Sequence, residues 1–175
     1  MSHPSALFAK IGMSRAACER WLNGPICFVS DYADWPQMNP VMASNYDDWR
    51  ETFPRPEYMS VREFLEAVAD LSRYFTCEYD DDMRAFFIAD AKHKSGMLEI
   101  ATGIAALRNV ENFKDDDSPS YVYIFPATSG GDPEALLKIE KGGSAFLHIG
   151  DDDPDLLYFL SEAEDFIETL LDEDE

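Results

Sequence analysis

The sequence predicts an α+β fold: a helical N-terminal part, then a small antiparallel sheet and a C-terminal helix in the second half. Three observations predict this arrangement. Apolar residues recur at helical spacing in residues 60–75 and 97–113, β-branched and aromatic runs follow residue 120, and a glycine pair separates two of those runs. With 175 residues, of which 46% are hydrophobic, the chain is expected to form a single domain, residues 1–175, around one core.

The first elements are predicted from local signals. Ser14 is a favoured N-cap for a helix that ends at Leu22, because the following Asn-Gly-Pro sequence cannot continue it. The apolar run 26–30 lies between a proline and an aspartate, which predicts a short buried strand.

Residues 31–59 contain four prolines and six aromatic residues but no periodic pattern. Two interpretations of this long segment are open. Its aromatic side chains could fold back over the core, as tryptophan and tyrosine usually do. Alternatively, Trp35 and Trp49 could form an aromatic patch beside acidic residues, because tryptophan is a favoured anchor at protein interfaces.

The clearest helix begins at Ser60, which forms an S-x-x-E capping box with Glu63. Its apolar residues fall on one face at helical spacing: Val61, Phe64, Leu65, Val68, Leu71 and Phe75. The Asp triplet at 80–82 breaks that pattern. Residues 84–91 suit either a buried strand or a short helix, since periodicity cannot decide between them.

A turn is predicted at 92–96, followed by a helix from Met97 to about Phe113. In the second half, the β-branched and aromatic run 121–125 predicts a strand. The segments 136–141 and 144–149 flank Gly-Gly and predict a hairpin, because glycine tolerates the positive φ of a two-residue turn.

The C-terminal segment has two interpretations. Asp153 could cap a helix with proline in its first position. Alternatively, residues 156–160 form one more short strand, and Ser161 caps a helix with Glu164 as its capping-box partner. The second is favoured because the capping box immediately precedes a clean helical period. Residues 171–175 are expected to form a frayed acidic tail.

The charge distribution limits what the protein can bind. The formal net charge is −21, and residues 151–175 hold twelve carboxylates with no lysine or arginine. Such a surface excludes nucleic acid as the main ligand and disfavours anionic membranes. No signal-peptide or membrane-span pattern occurs, and three cysteines without C-x-x-C spacing indicate reduced thiols, so we expect a cytoplasmic protein.

No catalytic constellation stands out in the sequence, and none of its patterns predicts a cofactor or a metal site. The third of three Asp triplets, at 151–153, begins a stretch with the acidic spacing of a calcium loop. However, Leu156 stands where that loop needs glycine, and apolar residues follow it. The triplets at 80–82, 115–117 and 151–153 are therefore expected to be solvated acidic turns.

Clustered acids without catalytic residues favour a non-catalytic protein that binds a basic protein partner. The residues predicted to contact that partner are Trp35, Trp49, Asp115, Asp116, Asp117, Asp151, Asp152, Asp153 and Asp155. Two alternatives are open: a calcium- or magnesium-dependent enzyme or module that uses the Asp clusters, and a protein that mimics nucleic acid.

The second half resembles the closing part of the SUKH-type bacterial immunity superfamily. The residues that carry the resemblance are the strand at 121–125, the glycine hairpin at 136–149, the acidic turn at 151–154, and the segments 156–160 and 161–171. They cover about a third of the chain. The resemblance implies an α+β protein that neutralises a polymorphic toxin by direct binding. Many toxins that act in the cytoplasm are nucleases, which are basic because they grip phosphates.

Overall fold

The fold is seen in a computed structural model that describes residues 5–38, 60–93, 97–126, 134–148, 150 and 153–172. Within these ranges the chain forms six strands: β1 (Ser5–Gly12), β2 (Phe75–Asp80), β3 (Ala85–His93), β4 (Ser120–Pro126), β5 (Ala135–Glu140) and β6 (Gly143–Phe146). The same ranges hold four α-helices: α1 (Arg15–Leu22), α2 (Val61–Leu71), α3 (Met97–Arg108) and α4 (Pro154–Asp172).

The strands form one sheet in the order β2-β3-β1-β4-β5-β6, and every neighbouring pair is antiparallel. The sheet is the centre of the molecule rather than a small unit in its second half. The predicted arrangement is therefore wrong, because the N-terminal part supplies three of these strands, β1, β2 and β3.

The sequence did not predict the central strand β1, and its surroundings explain why. Its residues face helices on both sides, so the strand lacks the polar–apolar alternation of a half-exposed strand. Leu7, Ala9 and Ile11 belong to one core cluster, whereas Ala6 and Phe8 belong to the other. The sheet thus separates two cores.

The two faces of the sheet carry unequal numbers of helices. Among the helices that the structure describes, residues of α1, α2 and α3 pack on one face, and only α4 packs on the other. The inward residues of α4 are Leu156, Phe159, Ala163 and Ile167. Because these four share one helical face, the opposite face of α4 lies at the molecular surface.

Two further predictions in the first half are corrected. The run 26–30 is not a strand: it contains only the start of a 3-10 turn at Val29–Asp31. Phe75 does not continue the face of α2, which ends at Leu71, but begins β2 instead. Residues 84–91, for which strand and helix were both open, lie almost wholly in β3.

Helices with local signals occur as predicted. The Ala17 N–H donates to the Oγ of Ser14 at 3.1 Å, which caps α1. In α2 the capping box is reciprocal: the Glu63 N–H donates to Ser60 Oγ at 3.2 Å, and the Ser60 N–H donates to Glu63 Oε2 at 3.0 Å. The helix predicted from Met97 is α3, and a 3-10 turn at Asn109–Asn112 extends it.

In the second half, β4 and the β5–β6 hairpin confirm the predicted strands. The hairpin turn lies one residue earlier than predicted, since Glu140 pairs with Gly143 and only Gly142 of the two glycines has a positive φ, 83°.

The favoured strand at 156–160 is wrong. The chain is already helical from Pro154, and the Oδ1 atom of Asp153 accepts the Asp155 N–H at 3.1 Å, as in the capping alternative. Helix α4 includes residues 171 and 172 of the expected tail, and residues 173–175 lie outside the described ranges.

Candidate partner-binding surface

The fold brings two of the Asp triplets, and Asp153 of the third, to one end of the sheet. The triplet at 80–82 lies between the end of β2 and the start of β3, and the triplet at 115–117 leads into β4. Strands β3 and β4 both begin opposite the C-terminal end of β1. Asp153 also lies there, because its carboxylate accepts a hydrogen bond from Tyr121, near the start of β4, at 3.0 Å. Asp151 and Asp152 lie outside the described residues.

Most of these carboxylates accept hydrogen bonds from, or pair with, other groups of the same chain. Both oxygens of Asp81 accept hydrogen bonds from Arg15, from Nε at 2.8 Å and from a terminal nitrogen at 2.5 Å. Asp153 accepts a hydrogen bond from Lys138 Nζ at 2.9 Å, and its side chain is only 17% exposed. The hydrogen bond from Lys138, and then that from Tyr121, hold the pKa of Asp153 below its usual range.

The loop before β4 follows the same pattern. Asp115 accepts hydrogen bonds from the backbone N–H of Ser14, at 3.0 Å, and from the Ser14 hydroxyl, and these bonds lower the pKa of Asp115. Asp116 lies 3.8 Å from Arg84 and 4.0 Å from the buried ammonium of Lys114. Of the predicted acidic residues in the described ranges, Asp115, Asp117 and Asp155 are exposed and form no ion pair there, and Asp115 is already hydrogen-bonded to Ser14. The acidic clusters are therefore a poor guide to the partner surface.

Trp35 lies in the core and is 0% exposed. Its Nε1 donates to the Val29 carbonyl at 2.8 Å, and its ring centre lies 5.6 Å from that of Phe146. In this position the side chain covers the core, as the first interpretation of the aromatic segment expects, and it cannot contact a partner. Trp49 lies outside the described residues.

Arg108, which the sequence did not mark, fastens this segment to the sheet. Its side chain is 2% exposed and donates to both oxygens of Asp34, at 2.8 and 3.0 Å. It also donates to Ser144 Oγ in β6 at 2.9 Å, and its guanidinium carbon lies 3.9 Å from the ring centre of Tyr32. This ion pair is structural, because the Arg108 guanidinium is buried and Asp34, whose side chain is 25% exposed, accepts two hydrogen bonds from it.

The exposed side of α4 combines apolar and acidic side chains. We call this surface the α4 outer face; it comprises Leu157, Tyr158, Ser161, Glu164, Asp165, Glu168, Thr169 and Asp172, all of which are exposed. Leu157 is 72% exposed and Tyr158 is 68% exposed, so two large side chains on adjacent residues face the solvent. The four carboxylates form no ion pair with any described residue, and α4 contains no lysine or arginine.

A shallow groove of about 350 Å³ runs along one side of this face, from Tyr158 past Asp165 to Thr169. Lys10 of β1 reaches the same side and pairs with Glu162, with Nζ–O distances of 2.9 and 2.7 Å. The Lys10 ammonium also lies 5.6 Å from the ring centre of Tyr158. Lys10 therefore neutralises Glu162 and contacts Tyr158, whereas the four carboxylates of the α4 outer face point into solvent.

The three thiols are not activated as nucleophiles. Burial raises the pKa of the Cys18 thiol to about 12, and burial also raises the pKa of the thiols of Cys27 and Cys77, so none is activated as a nucleophile. Among the residues that the structure describes, no group of three histidine, cysteine, aspartate or glutamate side chains is arranged to hold a metal ion.

Comparison with models of protein families, with curated proteins and with solved structures finds no match for this chain. No helix within the described ranges is both long enough and apolar enough to cross a membrane.

Proposed function

We propose that this chain is a non-catalytic acidic protein that neutralises a basic protein partner by binding it directly through the α4 outer face. The observation that carries the proposal is the combination, on one helix face, of two exposed apolar side chains with four carboxylates that have no ion pair among the described residues.

The two kinds of side chain contribute differently to binding. Clustered carboxylates attract a cationic surface, speed its association and reject anionic partners. Charge alone gives little affinity in water, whereas burying Leu157 and Tyr158 removes apolar surface from solvent. The α4 outer face offers both contributions within one helix.

The acidic turns support this proposal over a metal-dependent activity. Asp81, Asp115 and Asp153 accept hydrogen bonds from Arg15, Ser14 and Lys138, respectively, so their oxygens are engaged within the protein. A protein that mimics nucleic acid would use the same electrostatics and would differ only in its partner.

The resemblance to SUKH-type immunity proteins makes a basic toxin that acts in the cytoplasm, such as a nuclease, the partner that we propose. Co-expression tests this role directly. The product of the open reading frame adjacent to this gene is expressed in a bacterial host, with and without this protein. We expect growth arrest that this protein relieves and that a Tyr158→Ala, Glu168→Lys variant relieves poorly. Relief that persists in this variant would exclude the α4 outer face.

A further inference from the structure

The chemistry of the α4 outer face changes along the helix. Leu157 and Tyr158 lie in its first turns, whereas Glu164, Asp165, Glu168 and Asp172 occupy its second half. From Leu157 to Asp172 the face extends roughly 22 Å at 1.5 Å per residue. The face is thus apolar at one end and anionic at the other, and a partner that matches it must be apolar at one end and cationic at the other.

The acidic side chains in the second half of α4 destabilise the helix. A helix C-terminus carries partial negative charge and favours cations, but the last turn of α4 has no basic residue. Glu164, Glu168 and Asp172 are also spaced four residues apart, so that like charges are neighbours on the helix surface. Folding α4 does not require these acids, and cations placed beside them would relieve both unfavourable interactions.

The surroundings also restrict the backbone of a partner. An extended peptide gains main-chain hydrogen bonds to a protein chiefly at a sheet edge, and the side of a helix offers none. A helical partner satisfies its own backbone and can lie along the groove that borders Tyr158, Asp165 and Thr169.

We infer that the α4 outer face receives one amphipathic basic helix in a single orientation, with apolar residues on Leu157 and Tyr158 and lysines or arginines along the four carboxylates. This inference rests on the proposed function and specifies its partner.

The test uses the full chain and two synthetic helical peptides of identical composition. One peptide places leucine and phenylalanine at one end and lysines at four-residue spacing along the rest, and the other has this order scrambled. Fluorescence anisotropy of labelled peptide at physiological salt measures affinity. We expect a 1:1 complex with the ordered peptide that is at least tenfold tighter than with the scrambled one.

Matched variants locate the contact. Leu157→Ala and Tyr158→Ala should each weaken the ordered peptide about tenfold, the typical loss for an interface anchor. Leu71→Ala should have no effect, because Leu71 is at least as exposed, at 82%, but belongs to α2, whose inward residues pack on the opposite face of the sheet. Circular dichroism and thermal melting establish that each variant is folded.

The acidic half is tested with two triple variants that remove the same charge. Glu164→Gln, Glu168→Gln, Asp172→Asn should lower the association rate at least tenfold. Glu66→Gln, Asp70→Asn, Asp82→Asn, which alter exposed acids on α2 and in the β2–β3 turn, should lower it much less.

The outcomes separate the two proposals. Equal affinity for ordered and scrambled peptides, or no effect of Leu157→Ala and Tyr158→Ala, overturns the inference but leaves binding of a basic partner intact. If neither peptide nor an oligolysine of the same length binds, both the inference and the proposed function fail.

Discussion

At the scale of single residues, Arg108 joins Asp34 and Tyr32 to the sheet through Ser144. Lysine cannot reproduce its two hydrogen bonds to Asp34 or its stacking on Tyr32. We expect Arg108→Lys to lower the free energy of unfolding by about 2 kcal/mol in denaturant titrations. Arg62→Lys is the control, because Arg62 forms an exposed pair with Glu19, and should cost under about 1 kcal/mol. Equal losses would contradict the role assigned to Arg108.

Cys18 should make stability depend on alkaline pH. Its thiol has a pKa of about 12 in the folded protein, raised from 9.0 by burial. The unfolded chain releases this proton from about pH 9, so the stability that the buried thiol contributes is complete below pH 9 and is lost as pH rises towards 12. Unfolding midpoints measured from pH 8 to 11 should fall less steeply for Cys18→Ala than for the native chain. Parallel profiles would rule out this contribution.

At the scale of elements, α4 should become more stable when its acidic half is neutralised. Glu164→Gln with Glu168→Gln removes like-charge neighbours and relieves the helix dipole, which should raise the free energy of unfolding by about 0.5–1 kcal/mol. Asp155→Asn is the control within the same helix. It alters the first turn, where a carboxylate is favourable, and should lower stability by a few tenths of a kcal/mol. Denaturant titration that moves both variants in the same direction would refute the dipole argument.

How well an element could be predicted depended on where its signal lies. The caps of α1 and α2 are read from a few neighbouring residues, so Ser14 and the Ser60–Glu63 box were found from the sequence. Strand β1 has no such signal, because its pattern depends on helices that cover both faces and on Lys10 meeting Glu162 at the other end of the chain. The start of α4 was misjudged because its apolar run suits a strand or a helix equally.

At the scale of the whole molecule, the number of charges can be read from the sequence, but which carboxylates pair with other residues of the same chain cannot. The clustered Asp triplets drew attention to the turns, yet the fold engages Asp81, Asp115 and Asp153 internally at one end of the sheet. The unpaired carboxylates in the described ranges include those of the α4 outer face, which becomes visible only when residues 154–172 are known to be one helix. Trp35 was misplaced by the partner interpretation for the same reason, since its burial depends on Val29 and Phe146.

Hydrogen exchange of the full chain, with and without a saturating lysine-rich amphipathic peptide, tests most directly whether the α4 outer face binds a cationic partner. The account predicts a larger slowing of exchange for the amides of α4, residues 154–172, than for those of α2, because the bound peptide hinders local opening of the helix that it contacts, whereas its effect on global unfolding is common to both helices. Slower exchange confined to the turns at 80–82 and 115–117, with α4 unchanged, would contradict it.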